Sequence, residues 1–439
     1  MPIRTIILGA AGRDFHNFNT VFRNSPEHDI VAFTAQQIPH IENRRYPAVL
    51  AGARYPDGIP IYEEERLEEL IASLGATLCV MSYSDVAHVD VMHLASRANA
   101  AGADFSLLSA THTMLPASRP VVAVTASRTG AGKSQTSRAI ARLLREAGLR
   151  VVVVRHPMPY GDLARQRVQV FVTRDDLVRH QVTIEEREEY EPHLATGSVV
   201  LAGVDYGDIL REAESRADVI LWDGGNNDTP FFRPDVHIVV VDPHRVGHET
   251  LYYPGETNLR MAGVVLINKI DTADAASLTQ LRANIAKVNP RATVLEAASP
   301  PRADDPEVLR GRRVLAIEDG PTVTHGGMRY GAATIAASAL GATLVDPRPF
   351  LRGELVQTFA EYPHTGALLP AMGYGEQQVR DLEATIAAAA AGGVEAVAIG
   401  TPIDLAKLVS IAVPYTRVRY DLEIVGGVHL RDVLKPVLH

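Results

Sequence analysis

Residues 121–138 read VVAVTASRTGAGKSQTSR, and the fold turns on how this stretch is understood. An apolar, β-branched run, Val121 to Val124, leads into a glycine-bearing turn, Ser127-Arg128-Thr129-Gly130-Ala131-Gly132-Lys133-Ser134. Beyond it, Ile140, Leu143, Leu144 and Leu149 recur at near-helical spacing. Strand, glycine turn and helix in succession are what a phosphate-binding P-loop requires. The glycines let backbone N–H groups curl around phosphate oxygens, and the helix start adds partial positive charge. Nucleotide contacts therefore fall to Thr129, Gly130, Ala131, Gly132, Lys133, Ser134 and Gln135, with Lys133 reaching the outer phosphates. The Ser134 hydroxyl is the expected ligand of Mg²⁺. Ser127 stands where the usual pattern opens with Gly, and Arg128 where one branch of P-loop proteins carries a second lysine.

Composition narrows the classes. A chain of 439 residues has room for two to four domains and an ample core. With 22% charged residues and a net charge of −9, it advertises neither a nucleic-acid nor a membrane surface. Cys79 is the single cysteine and sits in an apolar run, so a buried thiol is expected and a disulfide framework is impossible. The opening MPIRTIILGAAGRDF enters a strand without the apolar run of a signal peptide. No run approaches the roughly 20 apolar residues that span a bilayer. The expectation is a soluble, cytoplasmic protein.

Strands alternate with helices throughout, which predicts an α/β fold with mostly parallel sheets. Residues 1–117 read as a Rossmann-like α/β domain, 118–320 as a P-loop nucleotide-binding domain, and 321–439 as a C-terminal α/β region. In the first, strand Thr5–Leu8 meets Gly9-Ala10-Ala11-Gly12, and a helix is expected from Asn17 onward. Any ligand there should sit at Gly9, Arg13 and Ser82 to Asp85, the strand ends. In the second, Val219-Ile220-Leu221-Trp222-Asp223-Gly224-Gly225 has the form of a Walker B strand, with Asp223 holding the magnesium water shell. Gly224 and Gly225 are expected to let the backbone approach the γ-phosphate. Asp162, after strand Val151–Val154, is either an outer-sphere magnesium or substrate group or a helix-capping aspartate. Thr183 to Pro192 (TIEEREEYEP) is acidic and helical in period, and is expected to be a solvated face.

Further along, Asp242 to Glu249 (DPHRVGHE) places His244 and Arg245 where they would position substrate or stabilise transferring charge. Strand Val264–Ile267 then ends in Asn268-Lys269-Ile270-Asp271, the NKxD pattern of guanine-reading loops. Its aspartate would accept from guanine N1–H and the exocyclic amine, a pair adenine does not offer. The C-terminal region opens on Pro321-Thr322-Val323-Thr324-His325-Gly326-Gly327-Met328-Arg329-Tyr330-Gly331. This segment reads equally as an anion site or as a plain loop with a helix cap.

Taken together, SRTGAGKS, PYGDL, TIEEREEYEP, LWDGGNND, DPHRVGHE, YYPGE, NKID, EDGPTVTHGGM, LPAMGY and GTPIDL resemble a family. It is that of predicted P-loop GTPases grouped with cyclic 2,3-diphosphoglycerate synthetase. The resemblance covers nearly the whole chain. It implies a nucleotide-binding domain of the dethiobiotin-synthetase and MinD-like branch. It also implies use of a nucleoside triphosphate to activate a phosphorylated metabolite.

The leading expectation is a Mg²⁺- and ATP- or GTP-dependent ligase or kinase acting on a small anionic metabolite, assembled as a homo-oligomer, taken as a dimer. Lys133 would hold the phosphates, with Arg128, His244 and Arg245 neutralising the transferred group. His325, Arg329 and Arg348 are candidates for binding the substrate anion. The rival is a GTPase switch or metallochaperone-like protein with no small-molecule acceptor. A third idea is a scaffold whose N-terminal domain senses a dinucleotide or CoA.

Overall fold

The structure is a computed structural model describing residues 1–9, 12–36, 44–156, 161–225, 227–324, 327–371, 375–401, 403 and 405–438. It is mixed α/β and rich in parallel pairing, with three principal sheets. The first has six strands, in the order Arg45–Tyr46, Ile59–Glu63, His28–Ala35, Ile3–Leu8, Leu78–Met81, Asp104–Leu107. Its central strand Ile3–Leu8 pairs in parallel on both sides. Cys79 lies buried in this sheet, and burial pushes its thiol up to about 12. Helix Arg13–Asn17 begins earlier than the sequence predicts and continues as a π-helical turn, Phe18–Phe22. Phe15, Phe18 and Phe22 drive that start, because all three are buried in the core of this sheet.

The second sheet is built on the quoted stretch. Its nine strands run Gln169–Phe171, Val199–Ala202, Val151–Arg155, Val219–Asp223, Val121–Ala126, Val236–Val241, Val264–Ile267, Thr293–Ala298 and Glu423–Val425. Val121–Ala126 is central and every residue in it is buried, as its unbroken apolar run requires of a strand covered on both faces. Helix Lys133–Glu146 follows, with Ile140, Ala141 and Leu144 packed onto the sheet.

The chain's last segment is unexpected. Strand Glu423–Val425 pairs antiparallel with Thr293–Ala298, and Leu430, Leu434 and Val437 join the core that contains the P-loop helix. Between these, Pro301–Ala303, Arg313–Asp319, Thr343–Leu344, Leu369–Ala371, Ala396–Gly400 and Tyr415–Tyr420 form the third sheet.

The expected solvated face at 183–192 is not one. Thr183 caps helix Ile184–Ala195 through the Glu186 amide, and Glu186, Tyr190 and His193 are buried. Tyr190 packs beside Phe171 with ring centroids 4.9 Å apart. The acidic residues between them gave the segment its solvated look, but one stripe of the helix turns inward.

Candidate functional site: a P-loop closed by two neighbouring modules

Gly130 and Gly132 take φ of 80° and 110°, the left-handed region glycine tolerates. A Cβ on Gly132 would lie 1.9 Å from Asn268 Nδ2, so no larger residue fits the turn. Asn268 Nδ2 donates to the Ala131 carbonyl at 3.0 Å, and Lys269 Nζ donates to the Gly130 carbonyl at 2.7 Å. The NKID loop therefore braces the P-loop from below, with Lys269 also paired to Asp242 at 3.0 Å. Asp271 is exposed beside it, accepting from the Ser299 amide at 3.0 Å, while Ser299 Oγ donates to Gln135 Oε1 at 2.9 Å. The turn after Thr293–Ala298 is thus part of the same pocket. Sequence reading missed it, although its small residues at a strand's carboxyl end were the available signal.

Lys133 Nζ donates to Asp223 Oδ1 at 2.6 Å. Asp223 is completely buried, and its Oδ2 faces Arg155 at 2.5 Å and His193 Nε2 at 3.0 Å. Burial alone would raise this carboxyl, but Arg155, Lys133 and His193 together hold it well below the usual carboxylate range. Burial depresses the Lys133 ammonium to about 8, with Arg155 and Arg138 adding repulsion that Asp223 only partly offsets. Burial likewise lowers the His193 imidazole. An ionised carboxylate only accepts, so Nε2 is the protonated nitrogen of His193. Glu189 pairs with Arg155 from the same helix as His193. Arg155, His193 and Glu189 are site residues that sequence analysis did not name. Arg155 had a signal in its place at a parallel strand's carboxyl end, whereas the helix was misjudged as solvated.

Gly224 and Gly225 also sit close against two ring side chains. A Cβ on Gly224 would lie 2.6 Å from Trp222 Nε1, and one on Gly225 would lie 3.2 Å from the His156 side chain. Packing against those two rings leaves little room for a side chain at either position.

The N-terminal module grips the P-loop directly. Asp85, a non-glycine residue at φ 59°, accepts from the Thr129 hydroxyl at 2.6 Å and faces Arg128 Nε at 2.7 Å. Its own amide donates to Asn227 Oδ1 at 2.8 Å. Arg128 also donates to His248 Nδ1 at 2.9 Å and lies 3.6 Å over the Tyr252 ring. Val86–Ala87 pairs antiparallel with Tyr252–Tyr253, adding a backbone link between the modules. A left-handed aspartate is costly, and its three contacts offset that cost.

Other predicted residues lie further off. Arg245 pairs with Asp242 at 3.0 Å. His244 meets the Thr272 hydroxyl at 2.9 Å and the Tyr330 hydroxyl at 3.2 Å, which puts it on the NKID side. Asp162 is exposed and accepts from the Ala164 and Arg165 amides at 3.0 and 3.3 Å, as a turn-capping aspartate does. Arg329 is exposed. Arg348 is exposed too, spending its guanidinium on Asp346 at 2.9 Å and the Thr365 carbonyl at 2.6 Å. His325 lies outside the described residues.

The donor set fits a magnesium nucleotide. A helix-start hydroxyl, Ser134, and one strand-end carboxylate, Asp223, flank the glycine turn, whose Thr129 amide meets the Asp85 carboxylate at 3.3 Å. Among the described residues there is no cluster of three or more His, Cys, Asp or Glu able to hold a metal ion alone. Such a site leaves the remaining ligand positions to water and phosphate.

Fold and loop together define a P-loop nucleotide-binding α/β protein. Residues 213–296, from the helix before Asp223 to past the NKID loop, match the CobW/HypB/UreG nucleotide-binding domain. The chain belongs to the family of arginine synthetase ArcE from Thermococcus kodakarensis, to which it is 58% identical over 433 residues, 98% of this chain and 96% of the relative. Among solved structures, LpxK from Aquifex aeolicus in complex with ATP overlaps 74% of this chain and 91% of its own, with TM-score 0.44 and 13% identity. Hydrogenase maturation factor HypB from Archaeoglobus fulgidus overlaps 40% and 80%, with TM-score 0.27 and 15% identity. Overlaps this weak carry no functional weight. Among the described residues no helix is long and apolar enough to cross a membrane.

Proposed function

We propose that the protein is a magnesium- and NTP-dependent synthetase whose product is arginine. One observation carries this reading: the relative named arginine synthetase covers the chain almost end to end at 58% identity. The motifs alone favour a phosphorylated acceptor of the diphosphoglycerate type; the relative's name favours an amino acid carrying a ureido group instead.

The chemistry suits a P-loop. A guanidinium forms from a ureido group only when the carbonyl oxygen becomes a leaving group. Transfer of the γ-phosphoryl group makes that O–P bond and breaks the β–γ P–O bond, releasing NDP. Ammonia then attacks the activated carbon, the C–O bond breaks with its electron pair leaving on phosphate, and a proton is lost. Lys133 and the amides of residues 130–134 would hold the phosphates, and Ser134 with Asp223 the magnesium. When bound, magnesium supplies charge neutralisation across the phosphates. Arg155 and Arg128, paired here with Asp223 and Asp85, would meet charge on the transferred group.

The test is direct. Purified protein with MgATP or MgGTP, ammonia and the ureido analogue of arginine should release one arginine and one phosphate per NDP. NDP release with no dependence on either co-substrate overturns the reading. The CobW/HypB/UreG match favours a second reading, a nucleotide switch, which predicts slow hydrolysis alone.

A further inference from the structure

The N-terminal sheet has a topological switch point of its own. Strand Ile3–Leu8 lies between His28–Ala35 and Leu78–Met81, so the strand order reverses beside it. Open α/β sheets take ligands at the carboxyl ends of strands at such a point. There Gly9 and Gly12 take φ of 139° and 137°. A Cβ on Gly12 would sit 2.2 Å from His156 Nε2, so this turn touches the P-loop module.

Polar groups from both modules crowd the turn. Asp14 Oδ1 accepts from the Gly12 amide at 2.7 Å, and Asn17 Nδ2 donates to Ser82 Oγ at 2.9 Å. Asp228, from the loop after the Walker B strand, accepts from Arg13 Nε at 2.8 Å and lies 3.8 Å from His156 Nε2. Arg13 spends its remaining nitrogens on Thr113 and Thr229, which leaves it no donor for a ligand carboxylate.

The capacity left over is of one kind. Asn17 is 2% exposed and Asp228 3% exposed, and among the described residues neither Asn17 Oδ1 nor Asp228 Oδ2 has a hydrogen-bond partner. Buried oxygens without donors are costly, and they match a ligand rich in N–H. A hydrogen-bonded path also runs from here to the nucleotide site. Asn227, beside Asp228, donates to the Ser127 carbonyl at 3.1 Å and accepts from the Asp85 amide, and Asp85 holds Thr129.

We propose that this inter-module crevice, lined by Gly12, Asn17, Ser82 and Asp228, is the acceptor subsite and binds an N–H-rich group, the ammonium, ureido or guanidino end of the amino acid. It rests on the arginine-synthetase reading and adds the location and the recognised chemistry. The N-terminal module is then the substrate half of the enzyme, with Asn227 and Asp85 registering occupancy beside the P-loop.

The experiment titrates L-arginine into the full-length protein with Mg²⁺ and a non-hydrolysable nucleotide, by calorimetry. Asn17→Ala and Asp228→Asn should each weaken arginine binding by about tenfold or more, as loss of one charge-assisted or buried hydrogen bond does. Nucleotide affinity should hold within about twofold. Asp228→Asn removes the partner of Arg13 and risks the fold, so hydrogen exchange on the unaltered protein supplies a second measurement. Arginine should slow exchange in residues 12–18 and 82–87. Unweakened binding in Asn17→Ala, or protection confined to the third sheet, overturns the crevice while the arginine reading stands. Failure of the unaltered protein to bind arginine at all overturns both.

Discussion

Lys133 and Asp223, ninety positions apart, meet at 2.6 Å inside the protein, with the aspartate fully buried. The P-loop lysine and the strand-end aspartate thus neutralise one another. Arg155 and His193 complete the cage. The first prediction follows from it. An isosteric Asp223→Asn change looks mild at a strand end, but here it strands three nitrogen-bearing side chains in a buried site. We expect turnover to fall by orders of magnitude and stability to fall by about 3 kcal/mol, the cost of breaking a buried pair. Urea denaturation and NDP release, measured on one preparation, check both numbers.

Nucleotide binding should be pH-dependent through Lys133. Its ammonium titrates near about 8 in the free protein, and phosphates bind only the charged form. A polyanion raises that value on binding, so affinity is complete below about 8 and falls as pH rises through it, by up to about tenfold per unit. Fluorescent-nucleotide titrations from pH 6.5 to 9.5, on the order of seven points, show a flat limb and then a falling one. A flat profile throughout removes Lys133 from the phosphates.

Asp271 is the test of base choice. It is exposed at the pocket's edge, with Oδ1 accepting from the Ser299 amide. Asp271→Asn should weaken GTP by about 1.5–3 kcal/mol for each charge-assisted bond lost, and admit xanthosine triphosphate. Tighter binding of ATP than GTP by the unaltered protein would instead assign the NKID loop to bracing alone, the role Asn268 and Lys269 already fill.

Glu318 makes a stability prediction. It is 2% exposed at the end of strand Arg313–Asp319 and accepts from the Thr334 amide at 2.8 Å. Burial, opposed by the Thr334 and Ala333 amides, raises its carboxyl from 4.5 to about 7. The folded state therefore holds a proton that the unfolded chain releases. The resulting stabilisation is full below the unfolded value and disappears as pH rises through about 7. Glu318→Gln, which mimics the protonated acid, should be more stable than the parent above pH 7 by on the order of 3 kcal/mol, with the gap closing toward pH 4.5. Melting curves of both proteins across that range decide it.

The local parts of the site were legible in the sequence because each is written in one short stretch. A β-branched run followed by glycines, Lys133 and Ser134, and a second run ending in Asp223, need no distant partner to be recognised. The NKID loop is of the same kind. Asp85 is different, because nothing around it announces that Thr129 and Arg128 are its partners across the module boundary. Helix Ile184–Ala195 misled for a related reason. Its glutamates dominate the sequence, and only tertiary pairing with Arg155 and Asp223 turns Glu189 and His193 inward. The crevice beside Gly12 was anticipated as strand ends at Gly9, Arg13 and Ser82 to Asp85, but its second wall, Asp228, comes from more than two hundred residues downstream.

The strand Glu423–Val425 and the residues after it bear on how the protein is made. They close an edge of the nine-stranded sheet and fill the core against the P-loop helix. During synthesis, from the amino end onward, that core stays open while the whole third sheet emerges. A chain lacking residues 423–438 would keep the P-loop, Asp223 and the NKID loop and still bear a bare strand, Thr293–Ala298, inviting association with another chain. Loss of this segment therefore unsettles the P-loop module, whose strand edge and core it covers, before it touches the third sheet.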